Sequence, residues 1–465
     1  MNTLTFSEAR HLVARTGLGA EWGSIKKLEG LPIPQAVEFI LSPPPSYTKP
    51  PPYMTPWRQM EPMRGEAMQR KDAWVRAKKE GENLQAWWID QLLTTRSPFT
   101  ERMTLFWHNY FTSSLQKTQQ PSLLYRQNLM LRQNALGNFR QLLRSVARDP
   151  AMLVYLDGYK NVKASPNENF ARELLELFTI GIGNYTEQDV RAAARAFTGW
   201  SSNIIGEYTF RRGQHDYGSK TFMGKTGNFN GEDIIDILLN RRETALFLTR
   251  KIYRYFVNDQ PDEMVINDLA DLYYNSDYDT GRLLRHIFTA DWFYAPANTG
   301  NKIKSPVTLM AGIMRALELK FQNDMAPAFI QRSLGQLLFH PPNVAGWPGG
   351  KAWIDNATLM LRLNLGAFAL SSKEVNLRLK DDPEAAERGK AFKRLSADAN
   401  LGPILQLTQG KSRQAALETL SAYLLSLQPK LGMAELADAL EETDETLFLK
   451  KAVAALMSFP EYQLC

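Results

Sequence analysis

The sequence predicts a mainly α-helical protein with one small β-hairpin near residues 203–224. Three observations lead to this prediction. Apolar residues recur at helical spacing over most of the chain, glycine and proline interrupt these runs, and one short segment alternates apolar with polar residues instead. Because 44% of the 465 residues are apolar, the chain can bury a substantial core.

The N-terminal part is predicted to form short helices followed by an extended connector. Residues 6–13 are periodic, with Ser7 as a candidate cap, and residues 33–41 form a second apolar run. The prolines of 42–56 remove backbone donors and fix φ, which favours an extended chain.

These patterns suggest three regions. Residues 1–56 would form the N-terminal helices and connector. Residues 57–370 would form the main helical domain, and 371–465 a C-terminal helical group packed on that domain.

The main domain is predicted to be a succession of helices. Its first segment, from Trp57 to Thr95, is rich in helix formers and should be one long helix or two in line. Glycine-studded residues 203–224 alternate in polarity, which is typical of a hairpin. Further helical runs are expected at 101–114, 123–149, 151–158, 167–181, 186–200, 231–257, 262–274, 280–290, 304–321, 325–338, 351–369 and 447–458.

Composition argues against several classes of protein. Lys and Arg exceed Asp and Glu by only 55 to 49, and the excess is not gathered in a stripe, so nucleic-acid binding is disfavoured. The single cysteine, Cys465, rules out an intrachain disulfide and a cysteine-based metal cluster. No apolar run is long enough to span a membrane, and no signal peptide is visible. A cytoplasmic location is expected unless a leader has been removed.

The segment SPNENFARELLELFTIGIG holds the first candidate site. On an α-helix, Asn169, Arg172, Glu173 and Glu176 share one face, opposite to Phe and Leu residues. Neighbouring glutamates can supply a general acid and its partner, or two ligands of a divalent metal ion. A solvated helix face explains the same pattern, and both interpretations stay open.

Histidine and tryptophan residues mark further candidates. His215 and Asp216, with Lys220 nearby, could form an acid–base or metal-binding group, or a turn that bonds its own backbone. His108, in LFWHNYF, is either a ligand contact or a hydrogen-bonded core histidine. Trp347, in HPPNVAGWPGG, is either a stacking platform for a sugar-like ligand or a buried plug.

Well-known catalytic signatures are missing from the sequence. It contains no GxxxxGK[ST], GxSxG or HExxH motif, and no GxGxxG followed by a helix. Classical nucleotide binding and serine-hydrolase chemistry are therefore disfavoured.

Several stretches together resemble a large bacterial family known as domain of unknown function 1800. They are RTGLGA (15–20), LFWHNYF (105–111), DPAMLVYLDG (149–158), PNENFARELLELFTIGIGNYTEQDVRAAARAFTGW (166–200), HDYGSKTFMG (215–224), KSPVTLM (304–310), PPNVAGWPGGKAWI (341–354) and LMSFPEYQL (456–464). The resemblance implies a predominantly helical fold and, for many members, export. It also implies a genomic neighbour similar to sulfatases and alkaline phosphatases. The resemblance implies no reaction and no set of catalytic residues common to the family. This chain differs from many of the proteins it resembles at Phe178, where they have histidine.

The leading hypothesis is a hydrolase-like or metal-assisted enzyme acting on a polymeric or envelope-associated substrate. Glu173 or Glu176 would be the acid–base group or a ligand of a divalent metal ion, with His215 and Asp216 as partners. Arg172 and Lys220 would contact an anion, Trp347 would stack, and His108 would line the site. The alternative is a non-catalytic binding or assembly protein partnering the sulfatase-like neighbour, in which the same motifs form a buried hydrogen-bond network.

Overall fold

The computed structural model describes residues 2–42, 51–55, 67–203, 205–371 and 397–465. Within these ranges the chain is mainly helical, as predicted. In chain order the α-helices are α1 Phe6–Thr16, α2 Trp22–Leu28, α3 Ile33–Leu41, α4 Ala67–Thr94, α5 Pro98–Tyr110, α6 Leu115–Thr118, α7 Pro121–Gln133, α8 Phe139–Ala147, α9 Pro150–Tyr155, α10 Asn169–Glu173, α11 Glu187–Ala196, α12 Gly231–Leu239, α13 Arg242–Phe256, α14 Glu263–Asn275, α15 Thr280–Thr289, α16 Pro306–Ala316, α17 Ala326–Ser333, α18 Asn356–Ser371, α19 Gly402–Thr408, α20 Arg413–Leu424, α21 Met433–Ala439 and α22 Glu445–Met457.

Helix ends follow local capping chemistry. The first helix is capped by Thr5 rather than by Ser7, because the Thr5 side chain accepts from the Glu8 backbone N–H and Glu8 reciprocates. The start of the long helix predicted from Trp57, and most of the connector predicted at 42–56, lie outside the described residues.

Two of the predicted long helices are each broken into two. The run predicted at 123–149 becomes α7 and α8, because the Asn138 side chain accepts from the Gln141 backbone N–H and starts a new helix. The run predicted at 231–257 is interrupted after Leu239, and α13 begins at Arg242. Apolar periodicity continues across both breaks, so periodicity alone could not locate them.

The helix predicted at 167–181 changes its geometry partway along. After α10 the chain forms a π-helix from Leu174 to Thr179, in which the Ile180 N–H donates to the Leu175 carbonyl at 3.1 Å. A π-helix has more residues per turn than an α-helix. The face predicted for Glu173 and Glu176 from α-helical spacing is therefore shifted at this turn.

Three small antiparallel sheets replace the single predicted hairpin. The strands β1 Trp200–Ser202 and β2 Tyr208–Phe210 form one pair, with Trp200 opposite Phe210, and β3 Lys220–Phe222 pairs with β4 Lys225–Gly227. A third pair joins β5 Lys320–Phe321 to β6 Ala397–Asp398. The hairpin predicted near 203–224 is thus two hairpins, separated by the turn that contains His215.

One continuous hydrophobic core runs through the described parts of all three predicted regions. It includes Leu12 of α1, Trp107 of α5 and Leu456 of α22. Near the C-terminal end, the Cys465 N–H donates to the Lys302 carbonyl at 2.8 Å, which fastens the last residues to the segment before α16. In the described part of the chain, no helix is both long and apolar enough to cross a bilayer.

Candidate functional site

The two glutamates lie at the junction between α10 and the π-helix. The Glu176 carboxylate accepts a hydrogen bond from the Tyr185 hydroxyl at 2.9 Å. Glu173 is partly buried and has no hydrogen-bond partner among the described residues. Burial and the negative charge of Glu176 raise the pKa of Glu173, against the opposing effect of Arg172. Glu173 is therefore the group of this pair that is most available for proton transfer.

Side chains from two other helices hold the π-helix in place. The Tyr110 hydroxyl of α5 donates to the Phe178 carbonyl at 2.9 Å, and Lys251 Nζ of α13 donates to the Leu177 carbonyl at 3.2 Å. Burial lowers the pKa of Lys251 to about 8. Phe178 itself is fully buried, so this side chain belongs to the core. π-Helical turns are rare and often mark functional positions.

Arg172 links two helices. Its guanidinium donates to both carboxylate oxygens of Glu187 at 2.8 Å and to Glu168 at 3.1 Å. Asn169 is exposed, and its backbone N–H donates to the Asn167 side chain at 2.9 Å. Arg172 therefore connects α10 to α11, and its guanidinium group is already bonded to two carboxylates.

The HDYGSK turn is built from internal hydrogen bonds. His215 is buried, and its Nδ1 lies 2.8 Å from the Thr198 carbonyl oxygen, which makes Nδ1 the protonated nitrogen. The Asp216 carboxylate accepts from Arg195 Nε at 2.6 Å and Nη2 at 3.3 Å, and this guanidinium lowers the pKa of Asp216. The imidazole and carboxylate thus have separate partners.

Lys220 completes this turn. Its ammonium group is buried and donates to the carbonyl oxygens of Asp216 at 2.6 Å and Gly218 at 2.9 Å. Burial lowers its pKa. The geometry matches the interpretation in which the turn bonds its own backbone.

The acids and the imidazole lie at opposite ends of α11. Tyr185, which bonds Glu176, precedes the first residue of this helix, whereas Thr198, which bonds His215, follows its last. A helix of ten residues is about 15 Å long. Throughout the ranges that the structure describes, no group of three or more His, Cys, Asp and Glu side chains could hold a metal ion.

Trp347 and His108 pack against each other inside the protein. Their ring centroids are 5.8 Å apart. The backbone N–H of Trp347 donates to the Asn109 side-chain oxygen at 2.6 Å. Burial lowers the pKa of His108 to about 3, so the imidazole is neutral at physiological pH. Both side chains are less than 5% exposed, so neither is placed to meet a ligand arriving from solvent.

Other residues prove central to these motifs. Asn161 donates from its side chain to the Ala194 carbonyl at 2.8 Å and accepts from the Asn167 N–H at 2.9 Å. Arg195 and Tyr185 supply the partners of Asp216 and Glu176. Tyr185 and Arg195 lie in the family stretch 166–200 and Asn161 lies outside it, but only the tertiary fold shows which partners the three side chains bond.

The family model for proteins of unknown function called DUF1800 matches residues 11–464. The chain therefore belongs to this family, which confirms the resemblance found in the sequence. No curated protein and no solved structure matches the chain.

Proposed function

We propose that this DUF1800 protein is a non-catalytic binding or assembly protein that presents an aromatic and basic surface to an acidic protein partner. One observation supports this above all. The charged motif side chains Arg172, Asp216 and Lys220 are all bonded within the chain. Groups occupied in this way stabilise a scaffold and are not free for chemistry.

The proposed contact surface lies on the HDYGSK turn and the preceding strand. The His215 ring lies between Phe210, at 5.1 Å, and Tyr217, at 4.7 Å between ring centroids. Phe210 is 39% exposed and Tyr217 is 56% exposed. Because His215 is buried and bonded, the two outer rings are held by a rigid base. Exposed aromatic side chains that lose little entropy are frequent anchors of protein interfaces.

Charge indicates the kind of partner. Arg211 and Arg212 follow Phe210 directly, both are exposed, and neither has an ion-pair partner among the described residues. Arginine beside an aromatic pair suits an acidic surface. The family resemblance implies that many members have a genomic neighbour similar to sulfatases and alkaline phosphatases, and such a neighbour of this chain is the first partner to test.

The test is a binding measurement between this chain and the purified neighbour. Tyr217→Ala should weaken the affinity at least about tenfold, as is usual for an aromatic anchor, with no change in melting temperature. Phe39→Ala is the matched control, because Phe39 is 59% exposed on α3 and lies outside the proposed surface. The proposal fails if no complex forms, or if both variants bind as the wild type does.

A second candidate function rests on Glu173. A half-buried carboxyl group with a raised pKa, beside a second carboxylate, is the arrangement used for general acid catalysis. Two carboxylates are fewer ligands than a divalent ion usually takes, so this candidate is hydrolase-like acid–base chemistry rather than metal-assisted chemistry. The substrate class remains the polymeric or envelope-associated one.

This candidate predicts catalytic turnover that requires the carboxyl group of Glu173. Wild-type protein should hydrolyse at least one member of a panel of chromogenic glycosides, esters and phosphate esters. Glu173→Gln should abolish that turnover while the fold remains intact by circular dichroism. Lack of turnover by the wild type on every member, or full activity of Glu173→Gln, would exclude the candidate.

A further inference from the structure

Several buried cationic side chains lie around a small, partly open cavity, away from the predicted site. The cavity lies between α1, α16 and the C-terminal helices, and its lining includes Arg10, Lys304, Thr308, Ser426, Tyr462 and Cys465. Its volume is about 20 Å³. We propose that this cavity is a binding site for a small inorganic anion.

The first support is the excess of cations. Arg10, Arg15 and Arg362 are each less than 5% exposed, and the partly buried Lys304 lies among them. Lys302 lies nearby, but it is neutralised by an ion pair with Asp259. The interaction with Cys465, which itself lines the cavity, raises the pKa of each of these cations, and Asp259 does the same for Arg15 and Lys302. Buried charge without equal countercharge is costly, and a bound anion would offset this cost.

The second support is the number of unused hydrogen-bond donors. Arg10 donates through Nη2 to the Ser426 carbonyl at 3.0 Å, and its other nitrogens have no partner among the described residues. Nε and Nη1 of Arg15 and Arg362 are also buried and unpaired, but these two residues do not line the cavity, so the donors open to an anion are those of Arg10 and Lys304. Buried donors are nearly always paired, so unpaired donors that face one cavity indicate that a partner belongs there.

Lys304 provides the third support. Its Nζ has no hydrogen-bond partner among the described residues and lies 3.8 Å from the centre of the Tyr462 ring. Burial, with the charges of Arg10 and Arg362, lowers its pKa to about 7. An anion in the cavity would reverse that effect and keep the ammonium group charged.

The volume limits what can bind. A cavity must offer roughly 10–15 Å³ to hold one water molecule. At about 20 Å³ this cavity has room for a halide or a compact tetrahedral oxyanion. Because Arg10 belongs to α1 and already bonds Ser426 near the C-terminal helices, the anion would act as a fastener between the two ends of the fold.

The test uses the full chain transferred into a gluconate buffer, since gluconate is much bulkier than a halide or a tetrahedral oxyanion. Chloride, bromide, sulfate and phosphate are then added separately at constant ionic strength while the melting temperature is followed. At least one of them should raise the melting temperature along a saturating curve, as expected for a ligand that binds only the folded state. The ion that saturates at the lowest concentration distinguishes a halide site from an oxyanion site.

Two lysine variants locate the effect. Lys304→Met should lose the saturating rise, because it removes the ammonium group that faces the cavity. Lys251→Met is the matched control: this lysine also has a lowered pKa and contacts two aromatic rings, but it lies against the π-helix. The control should melt at a lower temperature and keep the full anion-dependent rise. An equal rise in all three proteins, or a rise that never saturates, would mean an adventitious ion effect only and would overturn the proposal.

A further measurement needs no variant and so remains decisive if Lys304→Met fails to fold. Crystals of the wild type grown in bromide should show an anomalous peak inside the cavity, within hydrogen-bonding distance of Arg10 and Lys304. Anomalous peaks confined to the protein surface would contradict the proposal.

Discussion

The HDYGSK turn and the anion cavity both bury lysine, but only the turn supplies hydrogen-bond partners for it. Lys220 donates to two carbonyl oxygens within four residues of itself. Lys304 faces an aromatic ring and two arginines instead. Polar residues that cluster in the sequence therefore serve the structure, whereas the unsatisfied charges come together from distant parts of the chain.

The two lysines differ in hydrogen bonding because the turn is formed by neighbouring residues, whereas the cavity is formed by distant segments of the chain. A tight turn brings its own carbonyl groups next to its side chains, so a buried ammonium group can be satisfied locally. The cavity joins Arg10 of α1 and Lys304 before α16, and neither forms an ion pair with an acidic side chain among the described residues. A site made of distant cations is open to an external anion.

The largest expected effect is the loss of the Lys220 hydrogen bonds. Lys220→Met should lower the free energy of unfolding by about 2–3 kcal/mol, because two buried carbonyl oxygens lose a charged donor. Urea denaturation, followed by circular dichroism, measures this change.

Lys304→Met is the paired control for that experiment. In gluconate buffer its free energy of unfolding should stay within about 1 kcal/mol of the wild type, because the ammonium group makes no hydrogen bond that could be lost. Equal losses in the two variants would break the distinction between a satisfied and an unsatisfied lysine.

The sequence was sufficient to predict the helical fold but not its local details. Periodicity gave most helices, because each one buries an apolar stripe. It missed the two interruptions, where Asn138 and the residues after Leu239 start new helices. It also missed the π-helix, whose carbonyl groups bond Tyr110 and Lys251 from other helices. These features depend on tertiary contacts that a single segment does not encode.

The predicted site was harder to judge from sequence. Glu173, Glu176 and His215 stand in neighbouring motifs, but α11 holds the acids at one end and the imidazole at the other. Trp347 and His108 fill the interior. Lys304 lies in the family stretch 304–310, but lysine and arginine are ordinary surface residues in sequence, and neither Arg10 nor Lys304 was a candidate site residue. Only the fold shows that both line one cavity.

A second, smaller effect should appear in the pH dependence of anion stabilisation. The pKa of Lys304 is lowered to about 7, so the folded protein without anion loses this proton well before the unfolded chain does. The unfolded state then binds more protons between about pH 7 and 10.5, and Lys304 contributes stability that rises over this window. The stabilisation by anion should shrink over the same window, by up to about 1.4 kcal/mol per pH unit.

The groups around Lys304 allow the pH dependence of the anion effect to be assigned to this lysine. The pKa values of Arg10 and Arg362 are lowered only to about 10, so both stay charged through pH 9. Burial raises the pKa of Tyr462, and Cys465, which lines the same cavity, raises the pKa of Lys304. Melting curves at pH 6, 7, 8 and 9, with and without the saturating anion, should therefore follow Lys304. A constant anion effect across this range would show that the ammonium group does not contact the anion.

The smallest expected effect concerns Glu173, which has no hydrogen-bond partner among the described residues. Its pKa is raised in the folded state, so the folded protein holds this proton more tightly than the unfolded chain. The stability contributed by the protonated form is present below the unfolded pKa near 4.5 and is lost as pH rises through the folded pKa. Glu173→Gln imitates the protonated form, so at pH 7 it should be neutral or stabilising by at most about 0.5 kcal/mol. Urea denaturation at pH 4 and pH 7 measures this, with Glu176→Gln as the control that weakens the Tyr185 bond. A clear loss of stability in Glu173→Gln at pH 7 would show that Glu173 has a stabilising partner. Glu173 would then no longer differ from the hydrogen-bonded side chains around it.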